Sequence, residues 1–66
     1  MIYVVFNING DIIGVADSDE RAIEIYLERY AFQDDYAYNL ATCDQLDYLI
    51  SLDKIQTFEL NKFYYA

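Results

Sequence analysis

Few residues of this chain could carry out chemistry, and histidine, the commonest general acid or base, does not occur. Without histidine, the hydroxyl groups of Ser18 and Ser51 have no base of the usual kind to activate them. Cys43 is the single cysteine, at the predicted start of a helix, with no basic residue near it in sequence. We therefore expect Cys43 to be a small apolar filler and Ser18 to support a helix start.

Carboxylate pairs are the remaining candidates for metal binding or acid–base chemistry. Asp34 and Asp35 are adjacent, and Asp44 and Asp47 lie one helical turn apart. A magnesium or calcium site needs several convergent oxygen ligands, and neither an EF-hand spacing nor a glycine-rich phosphate loop occurs. One cysteine without histidine also rules out a zinc site of these ligands within one chain. We therefore expect no metal, no cofactor and no enzymatic activity.

The charge balance restricts the partners. Twelve acidic residues and four basic ones give a net charge of -8. Phosphates of nucleic acids and anionic lipids would repel such a chain, so we expect no direct binding to nucleic acid or to a membrane. A protein with a basic surface would instead be attracted. The alternative is that the acidity only keeps a small apolar protein soluble.

The 66 residues predict a single domain, 1–66, of marginal stability. Hydrophobic residues make up 56% of the chain, more than so small an interior can hold, so we expect some of them at an interface. The N-terminus lacks the basic region of a signal peptide, and no apolar run approaches a membrane span. With an unpaired cysteine, these features predict a cytoplasmic protein.

Residues 2–16 have the pattern of a β-hairpin. Asn9-Gly10 is typical of a two-residue type I′ turn, which would place Phe6 opposite Ile13. Strand alternation then divides the apolar side chains between two faces. The predicted core face carries Ile2, Val4, Phe6, Ile13 and Val15. The opposite face carries Tyr3, Val5, Ile12 and Ala16.

Residues 18–32 have the pattern of a helix. Asp17 is the predicted N-cap, with Glu20 completing a capping box. The predicted inward stripe consists of Ile23, Tyr26, Leu27 and Tyr30. At about 100° per residue, Ile25 and Phe32 point away from that stripe.

The second half of the chain is less regular. Residues 33–42 are predicted as an aromatic loop or irregular turn. Thr42 and Gln45 have capping-box spacing and precede a short predicted helix over 43–51. Residues 54–65 are rich in residues that favour strands. The prediction is an α+β fold of order ββααβ, with a three-stranded antiparallel sheet of strand order 2-1-3 and both helices on one face.

One edge of the predicted first helix is acidic. Four carboxylates recur there every three or four residues, at Asp17, Glu20, Glu24 and Glu28. Neighbouring carboxylates would lie roughly 5–6 Å apart, a spacing similar to that of nucleic-acid phosphates. The row could therefore imitate DNA and occupy a basic groove. The alternative is a solvated helix face that Arg21 and Arg29 partly neutralise.

Aromatic residues form the second feature. The chain has eight tyrosines and no tryptophan, and tyrosine is common at interfaces. Of these, Tyr36 and Tyr38 lie in the predicted loop after the acidic helix. With Ile25 and Phe32, they are the predicted apolar contacts for a partner.

The stretches Tyr3-Val4-Val5 and Asn9–Val15, followed by an acidic helix, resemble small uncharacterised proteins of bacteriophages and their hosts. The resemblance covers about the first 30 residues. It implies a viral protein in the host cytoplasm that inhibits a host enzyme or a defence system. No functional residue carries over from it.

Two functions therefore remain open. The first is an inhibitor that binds a basic protein through the acidic edge and the aromatic side chains. The second is a structural or assembly protein, such as a homodimer, in which the acidity serves only solubility.

Overall fold

The computed structural model describes residues 1–59 and has a three-stranded antiparallel sheet beside three helices. The elements are β1 (Ile2–Phe6), β2 (Ile12–Ala16), α1 (Asp19–Tyr30), α2 (Asp35–Tyr38), α3 (Thr42–Ser51) and β3 (Ile55–Phe58). The strand order is β2-β1-β3. This confirms the predicted α+β fold, with the single turn α2 added. The predicted last strand, 54–65, forms at Ile55–Phe58, and residues 60–65 lie outside the described part of the chain.

The hairpin turn differs from the type I′ turn that we predicted. Gly10 has a positive φ of 88°, but Asn9 does not, and type I′ requires it at both positions. The Asn7 side chain is the cause, because its Oδ1 accepts hydrogen bonds from the backbone N–H groups of Asn9 and Asp11, each at 2.9 Å. A β-bulge shifts the register of the strand pair between Val5 and Phe6. Phe6 therefore pairs with Ile12 instead of Ile13.

The helices cover the sheet face opposite to the predicted one. Val5 is fully buried in the core cluster with Ala16, and Tyr3 packs against that cluster. On the face predicted to be the core, Val15 remains 59% exposed, but Ile13 does pack against the core cluster, and Ile12 of the predicted opposite face is 64% exposed. Val4 is also buried, but it lies outside the core cluster. Both faces of this hairpin are apolar, so alternation alone could not identify the inner face.

Helix α1 begins one residue later than the predicted cap. Ser18 is the N-cap, and its Oγ accepts a hydrogen bond of 3.3 Å from the N–H of Arg21. The prediction of Asp17 as cap and Glu20 as its partner was wrong, although Ser18 does support the helix start. The predicted inward stripe is confirmed, since Ile23 and Tyr26 are buried and both Leu27 and Tyr30 pack against the core.

The segment predicted as a loop contains the one-turn helix α2, and Ala37 at its centre is fully buried. The predicted capping box at Thr42 and Gln45 was wrong, because α3 starts at Thr42 with Ala41 as N-cap. The Gln45 amide instead donates hydrogen bonds to the carbonyl oxygens of Ala37, at 2.9 Å, and Tyr38, at 3.3 Å. Gln45 thus ties α2 to α3.

The end of α3 directs the chain into the sheet. Asp53 has a φ of 60°, and its N–H donates to the Ile50 carbonyl at 3.0 Å. The N–H of Lys54 donates to the Leu49 carbonyl at 2.9 Å. These two bonds form a Schellman motif, which ends the helix with a left-handed residue. Ile55 follows directly and is fully buried in the core cluster.

Close packing of α1 on β2 depends on Gly14. A Cβ atom at this position would lie 3.0 Å from Cγ2 of Ile25 and 3.1 Å from its Cδ1. The absent side chain leaves the space that Ile25 occupies. Ile25 is half-buried and packs against the core cluster, so the prediction that it points away from the inward stripe was wrong.

A Gly14→Val substitution should therefore reduce the free energy of unfolding by about 1–3 kcal/mol, because it overpacks the contact with Ile25. The Gly14→Val, Ile25→Ala double variant should be more stable than the sum of the two single effects predicts, by at least about 0.5 kcal/mol. Urea unfolding of the four proteins measures this coupling. Strictly additive effects would contradict the contact.

Candidate protein-binding surface

The acidic edge of α1 lies on the surface, as predicted. Glu20, Glu24 and Glu28 are exposed at successive turns, and Asp17 is exposed just before the N-cap. The Arg21 guanidinium forms an ion pair with the Glu24 carboxylate and a longer one, 3.4 Å, with Glu28. Two of the carboxylates thus share one cation. Exposed pairs of this kind contribute about 0–1 kcal/mol each to stability. Their larger effect is to interrupt the row of negative charge.

An apolar groove runs beside this edge. Its lining residues are Glu20, Ile23, Glu24, Leu27, Glu28 and Tyr38. Leu27 is half-buried and Ile23 buried, so together they form the floor. The three glutamates of α1 lie along one side, and Tyr38 of α2 closes the other. We call this feature the acidic groove.

The aromatic residues divide between two places. Phe32 is fully exposed, and it lines a second depression next to the acidic groove with Ala31, Asp35 and Tyr38. Tyr38 belongs to both depressions and is 60% exposed. Tyr36 is 58% exposed, but its ring packs on Tyr48 with the ring centroids 5.1 Å apart. The structure thus brings Tyr38 to the acidic edge, places Phe32 in the neighbouring depression and directs Tyr36 toward α3.

A hydrogen bond beneath the surface positions α2. The Tyr26 hydroxyl donates to Oδ2 of Asp34 at 2.8 Å, and the N–H of Asp34 donates to the Tyr30 carbonyl at 2.8 Å. Asp34 therefore holds the start of α2 against the end of α1. The rings of Tyr26 and Tyr30 also pack together, with their centroids 5.1 Å apart.

Two tyrosine hydroxyls near Asp34 have altered acidity. Burial raises the pKa of Tyr26 well above its ordinary range, and the hydrogen bond to Asp34 and the negative charge of Asp34 add to this. Desolvation, followed by the charge of Asp34, raises the pKa of Tyr48 as well. Both effects favour the neutral phenol, so these tyrosines act as hydrogen-bond donors at neutral pH.

The remaining chemical candidates stay apart. Asp34 and Asp35 do not converge with Asp44 and Asp47, and residues 1–59 contain no group of three Cys, Asp or Glu that could hold a metal ion. Cys43 is exposed, which corrects the prediction that it fills the core. Its thiol lies 3.9 Å from Oδ1 of Asp44, a weak contact.

Sequence reasoning missed two contributors to this surface. Ile23 and Leu27 were predicted only as core, yet the same stripe forms the floor of the acidic groove. Asp34 was predicted as part of the loop 33–42, and its partner Tyr26 lies eight residues earlier. No local motif has that spacing, so no sequence signal pointed to the bond.

Comparison with protein-family models, with curated proteins and with solved structures finds no match to this chain. Within residues 1–59, no helix is both long and apolar enough to cross a membrane.

Replacing Tyr26 with Phe should lower the free energy of unfolding by about 1–3 kcal/mol, because the half-buried Asp34 carboxylate loses its hydrogen-bond donor. The exposed Tyr38→Phe variant is the matched control and should change stability by less than about 0.5 kcal/mol. Urea unfolding at neutral pH provides the comparison. Equal stability of Tyr26→Phe and the wild type would contradict the role of Asp34.

The same bond makes stability depend on alkaline pH. Because the pKa of Tyr26 is higher in the folded chain than the ordinary value of about 10, its stabilisation is complete below about pH 10. It is lost as the pH rises through the folded pKa. The wild type should therefore lose more unfolding free energy than Tyr26→Phe as the pH rises from about 10 to about 12. Tyr48 contributes equally to both proteins.

Proposed function

We propose that this chain is a non-enzymatic protein-binding module and that the acidic groove is its contact surface. The proposal is supported by one observation, the combination of an apolar floor with three carboxylates on one side and Tyr38 on the other. A binding partner that fits this arrangement presents apolar side chains beside lysine or arginine. A basic amphipathic helix has that chemistry.

The energetics favour such a partner over a purely charged one. Exposed ion pairs are screened by salt and contribute little individually, whereas burying one leucine-sized side chain contributes about 1.5–3 kcal/mol. Leu27 and Tyr38 supply the apolar contact area, and Phe32 extends it. The carboxylates would mainly accelerate encounter and orient the partner.

Imitation of nucleic acid is the more specific form of this proposal. It requires a continuous row of negative charge. The ion pairs of Arg21 with Glu24 and Glu28 interrupt that row, which favours a basic protein segment over a DNA-binding cleft as the complement. A partner that released Arg21 from these pairs would restore the row.

The biological role that we propose is inhibition of a host or defence protein in the bacterial cytoplasm. It is supported by the resemblance to small bacteriophage proteins and by the net charge of -8. A stoichiometric inhibitor needs only a contact surface, which is consistent with a chain of this size.

The charge contribution is tested by neutralising the groove. The Glu20→Gln, Glu28→Gln variant should bind a synthetic helical peptide of leucine and lysine about tenfold more weakly, since two carboxylates beside the apolar floor are lost. The control is Asp44→Asn, Asp47→Asn, which has the same net charge. Fluorescence anisotropy at about 0.05 M and about 0.5 M salt measures the affinity of both variants for the peptide. Equal weakening in the two variants would contradict binding at the groove.

The apolar contribution is tested in the same titration with two tyrosines of similar exposure. Tyr38→Ser should weaken the peptide complex about tenfold, because Tyr38 forms one side of the groove. Tyr36→Ser removes an equally exposed ring that packs on Tyr48 instead and should leave the affinity unchanged. If the two variants lost the same affinity, the groove would not be the contact surface.

A homo-oligomer is the second candidate. The observation that favours it is the exposure of Ile12, at 64%, and Val15, at 59%, on strand β2. Sedimentation equilibrium separates the two functions. A monomer at micromolar concentration contradicts the oligomer, and a dimer that dissociates on Val15→Lys substitution supports it.

A further inference from the structure

A second groove lies on the other side of α1, between that helix and strand β2. Its lining residues are Ile13, Gly14, Val15, Arg21, Ile25, Glu28 and Arg29. Three of them are consecutive residues of β2, and Ile13 among them lies in the β-bulge. The groove therefore follows this strand. The helix residues recur three or four positions apart and form one stripe. We call this feature the edge groove.

Strand β2 is an edge strand in the described part of the chain, where it pairs with β1 alone. Alternate residues of an edge strand direct N–H and C=O groups away from the sheet, and these groups can pair with another chain. The absent side chain of Gly14 leaves room for Ile25, which provides an apolar surface beside this strand. The edge groove thus offers backbone hydrogen bonds and one apolar contact.

The edge groove is lined by two arginines and one glutamate, whereas the whole chain has a net charge of -8. Arg21 and Arg29 are two of only four basic residues, and both line it. Arg21 is paired with Glu24 and Glu28. Arg29 is exposed and takes no part in the ion pairs found among residues 1–59.

We propose that the edge groove binds an extended peptide that adds a strand to β2, places an apolar side chain against Ile25 and pairs a carboxylate with Arg29. Backbone pairing with an exposed edge is an established mode of peptide recognition, in which the side-chain contacts provide specificity. This site lies on the other side of α1 from the acidic groove, with Glu28 in the lining of both, and does not rest on the function proposed for the acidic groove. Its partner is acidic, whereas the partner of the acidic groove is basic.

A peptide explains the charge pattern better than a second copy of this chain. Two copies paired through β2 would bring together two chains of charge -8. They would also align Asp11 and Asp17, which flank β2 in each copy. A short acidic peptide has far less repulsion to overcome and still provides the carboxylate for Arg29.

The probe is a random decapeptide library displayed on phage and selected on the immobilised chain. The enriched peptides should alternate β-branched residues with polar ones and carry one Asp or Glu. Added to the 15N-labelled chain, such a synthetic peptide should shift the amide resonances of residues 12–16 and the side-chain Nε resonance of Arg29. Two peptides should then be compared, each N-methylated at one of the two alternating sets of residues. Methylation of one set should abolish binding, and methylation of the other set should leave it intact.

The matched variants are Arg29→Gln in the protein and Gln for the acidic residue in the peptide. Each should weaken the complex about tenfold, and combining them should cost little more than either alone. The proposal is overturned if no peptide is enriched, if the enriched peptides shift the resonances around Tyr38 instead, or if Arg29→Gln leaves the affinity unchanged. Dimerisation through β2 without peptide would also overturn it.

Discussion

The contact of Ile25 with the backbone of Gly14 is the constraint on which the rest of the structure depends. A side chain on residue 14 would meet Ile25 at about 3 Å, so α1 can approach β2 this closely only because that residue is glycine. The approach makes the inner sheet face the one that carries Val5 and Ala16. It also leaves Val15 on the outside. The choice of face thus follows from one missing side chain and not from the larger apolar surface.

The position of α2 follows from polar contacts that act at longer range. The hydrogen bond from Tyr26 to Asp34 and the amide bonds of Gln45 hold this single turn between α1 and α3. A four-residue helix has no stability of its own, because helix nucleation is costly. These contacts place Tyr38 opposite the acidic edge and so create the acidic groove. Removing the contacts would leave the carboxylates on a plain solvated helix face.

Helix α1 thereby carries two surfaces of opposite character. One side presents glutamates around an apolar floor, and the other presents Arg21 and Arg29 beside the edge of β2. The cation of Arg21 lies between the two, because it pairs with Glu24 and Glu28. A change at Arg21 should therefore affect both surfaces. The net charge of the chain does not indicate this division, because the division depends on how the helix packs on the sheet.

The sequence by itself determined the element order, the inward stripe of α1 and the exposed acidic edge, because periodicity and charge spacing are local properties. It did not determine the sheet face, the β-bulge, the caps or the turn α2. Alternation predicts two faces but not which is covered when both are apolar. Gln45 bonds to α2 and not within the predicted capping box, and the Asn7 side chain bonds within the hairpin loop. Only the tertiary structure decided that Ile25 is a packing residue and that Tyr38, not Tyr36, joins the acidic edge. The physical reason is that both outcomes depend on contacts between elements, which local spacing does not encode.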